Sequence, residues 1–287
     1  MLAILKKELR TFFTSPIGYI YMGGFLLFSG YFFATQSILT RNPQYTNIFS
    51  GMITIFLFIM PMLTMRLMSE EKNQKTDQLL ITSPTSVGNI IIGKFLAAYV
   101  IFAITLAITI LYAIVIEIHG KLPLWETIGS YIGFLLLGGA YISVGLFIST
   151  MTENQIVSAL VSFFAVLLLL FLDNIANAMP AENIAGLIFA IILAALLSLY
   201  LYRTTKNIFL AAVVLAVAIV GTGIAYIIDS SLFYRLITKT LQILSLNNRY
   251  KSFGMGIFEV SGIVYYISYM AFFLFLSTHA VERRRWV

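Results

Sequence analysis

The chain has no cysteine, which excludes disulfides, thiolate metal sites and cysteine nucleophiles and leaves the redox compartment unmarked. Histidine is nearly absent as well. Only His119 and His279 occur, each at the end of an apolar segment and near opposite membrane faces in the topology expected below, so neither a histidine metal site nor a Ser–His pair within a span is expected. Charge is the third scarcity: Asp, Glu, Lys and Arg make up 10% of 287 residues, against about 25% in soluble domains. The net charge of +6 matters only through where it lies, and no nucleic-acid partner is expected.

In place of these the chain has long apolar runs. Hydrophobic residues make up 60% of it, against roughly 45–50% in soluble domains, which marks an integral membrane protein with little room for a separate catalytic domain. Eight apolar stretches run at about 17–39, 48–68, 88–117, 127–150, 155–173, 184–202, 207–228 and 257–280. Each is close to the roughly 20 residues that cross a bilayer as a helix, and none alternates as a barrel strand does. Backbone groups in lipid must be bonded within their own segment, so the fold class expected is all-α: one polytopic helical domain over 1–287.

Orientation follows from Lys and Arg. With the N-terminus cytoplasmic, twelve of the 18 fall on that side, and Arg41, Lys121, Arg235, Lys239, Arg249 and Lys251 on the other, which predicts both termini inside. Four of those six lie in 229–256, where Leu232, Leu236, Thr240 and Leu241 could form an amphipathic face for the outer surface. At the start of the chain, charges at Lys6, Lys7, Glu8 and Arg10 interrupt any signal-peptide core. On a helix over 1–15, Leu2, Leu5, Leu9, Phe12 and Phe13 share a face opposite Lys6, Lys7 and Arg10, the pattern of a helix in the membrane interface. Pro61 predicts a kink in the second span, and Gly23, Gly24, Gly129, Gly133, Gly138 and Gly139 predict close helix approach.

One charged island interrupts this pattern, SEEKNQKTDQLLITSPTSVGNIIIGKF at 69–95. Gly88, Gly93 and Lys94 match the GxxxxGK spacing of a phosphate-binding loop, but Phe95 replaces the Ser or Thr that would hold magnesium, and three isoleucines stand where backbone must wrap a phosphate. The stretch reads better as the start of the third span, with Lys94 snorkelling to the headgroups. Glu70 and Glu71 resemble an intramembrane protease pair but lack the histidines such a site needs. Glu117, Asp173, Asp229 and Glu259 sit at span ends as anchors, and polar residues such as Thr54, Thr64, Ser143 and Ser158 commonly bond their own helix backbones. Between the two features, Thr76 to Ser83 can form a brief helix that stops before Pro84. On the cytoplasmic side, between spans two and three, a soluble partner could grip it.

At these residues the chain resembles the permease subunits of type-2 ABC transporters. The resemblance rests on the N-terminal interfacial helix, on a loop with Glu70, Glu71, Lys72 and Thr76 followed by Leu79, Leu80, Thr82, Ser83 and Pro84, and on a last span ending in Arg283, Arg284 and Arg285. Its C-terminal part, RYKSFGMGIFEVSGIVYYISYMAFFLFLSTHAVERRRW, looks like the branch associated with gliding motility. Two positions depart from the family pattern: Lys75 stands for a usual glycine and Gln78 for a usual glutamate.

The resemblance implies a non-catalytic permease of a bacterial cytoplasmic membrane, and an exporter. Segment 70–84 would be a coupling helix docking on a separately encoded ATPase present in two copies, and ATP and magnesium would bind that partner. The chain itself would hold no cofactor or metal. It also implies a second permease copy or a related permease, paired through the first and fifth spans, with Leu5, Lys6, Lys7, Leu9, Arg10, Phe12 and Phe13 anchoring the interfacial helix. An extracytoplasmic auxiliary protein is a further partner that 229–256 would suit. The competing readings are a secondary transporter, which lacks mid-span charges and an internal repeat, and an anchor or assembly subunit of an extracytoplasmic complex.

Overall fold

The computed structural model describes residues 1–76 and 85–285, with side chains as far as residue 283. The described residues are helical and contain no strand, as expected of an all-α protein. Among them, eight helices are long and apolar enough to cross a membrane, and each overlaps one of the eight apolar stretches. The first span joins α2 (Pro16–Phe33), which follows the short N-terminal α1 (Leu2–Thr14), to a π-helix over Ala34–Ile38. The Ser15 hydroxyl caps α2 by accepting from Gly18 N at 3.4 Å, with Pro16 at the first position, where a missing N–H costs nothing. Helix α3 (Tyr45–Thr64) contains Pro61 and gives way, through a turn, to the one-turn α4 (Ser69–Asn73).

The third span is made of α5 (Val87–Ile108) and α6 (Ile110–His119), broken at Thr109. There the Thr109 hydroxyl donates to Leu106 O at 2.7 Å, and the Tyr45 hydroxyl donates to Thr109 O at 2.9 Å. Next come α7 (Leu124–Met151), α8 (Gln155–Ala178), α9 (Asn183–Thr205) and α10 (Ile208–Ile228). Two short helices, α11 (Leu236–Leu244) and α12 (Leu246–Gly254), precede the last span, α13 (Val260–Arg285).

The chain divides into two compact units, Met1–Leu170 with Leu246–Val287, and Phe171–Ser245. In the first, α7 is the central helix and Phe134 its aromatic hub. Rings from Phe56 at 4.5 Å, Phe49 at 4.6 Å, Phe102 at 5.9 Å and both Phe25 and Tyr250 at 6.4 Å surround it. Lipid tails are as apolar as these side chains, so close packing rather than escape from water holds the helices together. The first span contributes a buried stripe at every fourth residue: Tyr21, Phe25, Ser29 and Phe33 of α2 and Ser37 of the π-helix.

Close approach to α7 is set by its glycines. A Cβ on Gly129 would lie 2.3 Å from the Phe253 carbonyl oxygen, and one on Gly138 would lie 2.2 Å from the Phe102 ring. Gly23 and Gly24 do not act this way, since a Cβ at either meets nothing within 4 Å. The polar residues Thr64 and Ser143 bond their own helix, to Met60 O at 2.9 Å and Ala140 O at 2.7 Å. Segment 229–256 splits between the units. Its second half, α12, is drawn into the core of the first unit by Leu246, Tyr250 and Phe253, all buried.

The second unit is built on the α9–α10 hairpin. Asn207 caps α10 by accepting from Phe209 N at 3.0 Å and Leu210 N at 3.2 Å, and the Ser198 hydroxyl crosses to Ala211 O at 2.7 Å. Helix α11 is tied to the end of α8 by Thr238, which donates to Ala176 O at 3.0 Å.

The glycine geometry makes a test. Gly129→Ala pushes a methyl group into a backbone carbonyl and should destabilise by about 1–3 kcal/mol, whereas Gly24→Ala should cost nothing. Thermal unfolding of the two variants in detergent compares them; equal midpoints would contradict the packing of α12 on α7.

Candidate functional site

Helix α1 was expected to present Leu5, Leu9, Phe12 and Phe13 on one apolar face. Phe12 is buried and Leu5 and Leu9 are half-buried, but Leu2 and Phe13 are exposed, and the other buried residue of the helix is Glu8. Lys6, Lys7 and Arg10 face outward. The helix lies on the first turns of α5, where a Cβ on Gly93 would meet Ile4 Cγ2 at 3.2 Å and Met1 O at 3.3 Å. The Gly–Lys pair that mimics a phosphate loop is therefore the seat of α1. From Ile91 onward the amides of GNIIIGKF lie in the body of α5, where the helix itself engages them and leaves none to wrap a phosphate.

Lys94 does not snorkel. Its side chain is 1% exposed, and its ammonium sits between two carboxylates, donating to Glu8 Oε1 at 2.9 Å and pairing with Glu71 Oε2 at 2.9 Å. The Glu71 contact is an ion pair outside hydrogen-bond geometry, so Lys94 is hydrogen-bonded to α1 and electrostatically held to α4. Lys7 closes the ring by donating to Glu71 Oε1 at 2.9 Å and standing 3.9 Å from Glu8 Oε1. Partial burial pulls the Lys7 pKa down, but the hydrogen bond to Glu71 and the charges of Glu71, Glu8 and Glu70 outweigh it, and the net shift is upward.

Around this ring the entry to the charged island is fastened on two further sides. Arg66 pairs with Glu70 Oε2 at 3.2 Å, lies 5.3 Å from the Phe12 ring centre, and donates to Ser15 Oγ at 3.3 Å. The Ser149 hydroxyl, on the last turn of α7, accepts from Met68 N at 3.0 Å and Ser69 N at 3.1 Å. Lys72 donates to the Thr150 carbonyl beside it. A cavity of about 240 Å3 opens at the cluster, lined in part by Thr11, Arg66, Glu70, Gln74 and Thr76.

Of the expected coupling residues, Glu70, Glu71, Lys72 and Thr76 are brought together here; Leu79, Leu80, Thr82, Ser83 and Pro84 lie outside the described residues. Lys75 takes a left-handed conformation, φ 57°, and ends α4 with paired bonds from Lys75 N to Lys72 O at 3.0 Å and Thr76 N to Glu71 O at 2.9 Å. Such a helix ending ordinarily uses glycine, which is the residue the family pattern has at this position. Sequence reasoning left out Glu8, Arg66, Lys94, Ser149 and Thr150. A signal for two of them was present. Glu8 lies three residues from Leu5 and four from Phe12, and Lys94 three from Ile91 and four from Ala98, so each sits on a buried helical face. Among the described residues no group of three His, Asp or Glu converges as metal ligands would.

The model of a family described as ABC-2 family transporter protein matches residues 11–228, about three-quarters of the chain. This chain belongs to the ABC-2 family of transporter proteins. Its match takes in Arg66, Glu70, Glu71 and Lys94, and begins just after Lys7 and Glu8. No curated protein matches the chain. As an ABC-2 permease it is a multi-pass membrane component of a transporter, and permeases of this family work with an ABC ATPase in a lipid bilayer.

The ABC-2 permease should depend on Lys94 as a shared counter-ion. Lys94→Met leaves two carboxylates sharing only the half-exposed Lys7 and should destabilise by up to about 3 kcal/mol, while the triple variant with Glu8→Gln and Glu71→Gln should recover most of that loss. Unfolding in detergent measures both, and additive losses in the triple variant would contradict a shared site.

Proposed function

We propose that this ABC-2 permease is the membrane-spanning subunit of an exporter, driven by a separately encoded ATPase that docks on the loop after the second span. The observation that carries this reading is the Lys94 ion cluster, because it joins the start of that loop to both α1 and α5 at once. A free loop would absorb a displacement. Here Glu71 is held by Lys94 of α5 and Lys7 of α1, Lys72 by Thr150, and the amides of Met68 and Ser69 by Ser149 of α7. A push on segment 70–84 therefore passes to spans three and four and carries α1 with it. ATP binding would draw two ATPase copies together, and the paired permeases would exchange two arrangements of these helices.

The same reading puts the cluster on the cytoplasmic side of a bacterial cell membrane, with both termini there and α1 in the interface. A second permease, whether an identical copy or a relative, would pack on the first and fifth spans. In support, α2 exposes Ile20, Leu27 and Tyr31 beside Gly23, which has no neighbour within 4 Å, and α8 exposes Val157, Leu160, Phe164 and Leu168. The likeness of the C-terminal part to the gliding-motility branch favours export or a mechanical role for the complex, and leaves place for an extracytoplasmic auxiliary protein.

Two changes separate docking from coupling. Replacing Leu79 and Leu80 with Asp should abolish co-purification of the ATPase. Glu71→Gln should keep the ATPase bound but loosen the joint, so that the permease alters ATP hydrolysis by its partner less than before. Undiminished co-purification of the Leu79/Leu80 variant would overturn the docking site.

A further inference from the structure

At the end of the first span remote from the ion cluster, the chain departs from regular geometry three times within eight residues. The helix widens to a π-helix over Ala34–Ile38, Arg41 adopts φ 52°, and the Ser37 hydroxyl is buried with no hydrogen-bond partner among the described residues. Features of this kind concentrate at binding sites. Ser37, Ile38 and Arg41 line one cavity of about 480 Å3, between the end of α2 and the end of α6. Its walls are apolar, from Phe33, Ile38, Val115 and Ile116, and its polar groups are Ser37, Arg41, Asn42 and His119. The Phe33 ring stacks on Tyr112 with centroids 4.7 Å apart, which sets the spacing of the two helices beneath it.

The charge of the cavity has one sign. Among the described residues no carboxylate lines it, and Glu117, two residues before His119, accepts from Leu122 N at 2.9 Å. Helix ends present carbonyls, which would oppose an anion if they were unbonded. At the end of the first span three of them are bonded: Ala34 O by Leu39 N at 2.9 Å, Ser37 O by Asn42 N at 3.2 Å, and Ile38 O by Arg41 N at 3.4 Å. On α6 the Val115 carbonyl is taken by His119 Nδ1 at 2.9 Å. What remains for a ligand is the guanidinium of Arg41, the unpaired hydroxyl of Ser37, and a greasy wall.

We propose that this cavity binds the phosphate headgroup of an anionic lipid. Arg41 pairs with the phosphate, Ser37 completes its hydrogen bonding, and the acyl chain leaves along the apolar wall past the exposed Ile38 and Ile118. Free phosphate shares the headgroup chemistry but would leave the apolar walls without a partner. The volume suits a headgroup with the first methylenes of its chain. The assignment is independent of the ATPase-docking reading, since the site lies at the opposite end of the spans from Lys94.

Native mass spectrometry of the full chain in detergent tests it, with phosphatidylglycerol, phosphatidylcholine and inorganic phosphate as separate probes. Phosphatidylglycerol should bind more tightly than phosphatidylcholine, whose choline cation offsets its phosphate, and Arg41→Asn, which tolerates the left-handed backbone, should weaken phosphatidylglycerol by about tenfold and phosphatidylcholine by less. Arg41→Lys should restore most of the preference. Ser37→Leu should fill the cavity and weaken both lipids, and Lys239→Gln, outside the site, should change neither. Unchanged phosphatidylglycerol binding in Arg41→Asn and Ser37→Leu would overturn the proposal. So would inorganic phosphate displacing the lipid at equal concentration, because that would make it a site for the free anion.

Discussion

The ammonium of Lys94, buried between the carboxylates of Glu8 and Glu71, is the interaction on which the arrangement of one end of this ABC-2 permease depends. Alone in that position a lysine would be several kcal/mol out of balance, on the order of the desolvation cost of a buried ion. Its two partners come from α1 and α4, so the charge can be buried only when both elements are in place. Buried ion clusters add little net stability compared with apolar packing, and their better-attested use is to admit one register and exclude others. Here the register is that of the charged island against the third span. Lys7 and Arg66 then extend the constraint to the α1–α2 junction, and Ser149 and Lys72 extend it to the end of α7.

The apolar interior works differently. Around Phe134 the helices are held by ring packing and by glycines that bring backbones within reach, a set of contacts that can slide or repack without breaking a charge pair. On the proposed function the ion cluster would be a stiff joint where force enters and the apolar interior a packed bundle with more than one arrangement. Of the left-handed residues, Lys75, Arg41 and Lys206 follow helical segments and each is basic, whereas Arg235 stands at the start of α11. A cation just beyond a helix C-terminus complements the carbonyl end of the dipole, a compensation that glycine does not offer. This gives a physical account of lysine at position 75, where the family pattern has glycine.

How much of this could be read beforehand divides along the range of the interactions. The spans were readable because a run of apolar residues is a local property, and all eight stretches overlap observed helices. The glycines show where local reading stops. Gly23–Gly24 and Gly138–Gly139 are identical pairs in sequence, yet only the second pair faces other side chains, Phe102, Met270 and Tyr99. Lys94 was misassigned for the same reason. Whether a lysine at the mouth of a span snorkels or is buried depends on Glu8, 86 residues away, and no periodicity in the third span reports that. The cavity at Ser37 and Arg41 was equally hidden, because the two come together only through the π-helix and the left-handed turn that follows it.

The central claim is that α1 and the start of the charged island move as one body. The absence of native cysteine allows a direct measurement: a cysteine pair at Thr11 and Gln74, which line the same cavity, bridged by a short bifunctional thiol reagent in the permease assembled with an ABC ATPase partner. A rigid joint predicts that the bridged complex hydrolyses ATP at an undiminished rate, because the bridge adds nothing the ion cluster does not already impose. Loss of hydrolysis on bridging, restored when a cleavable bridge is cut, would contradict the account.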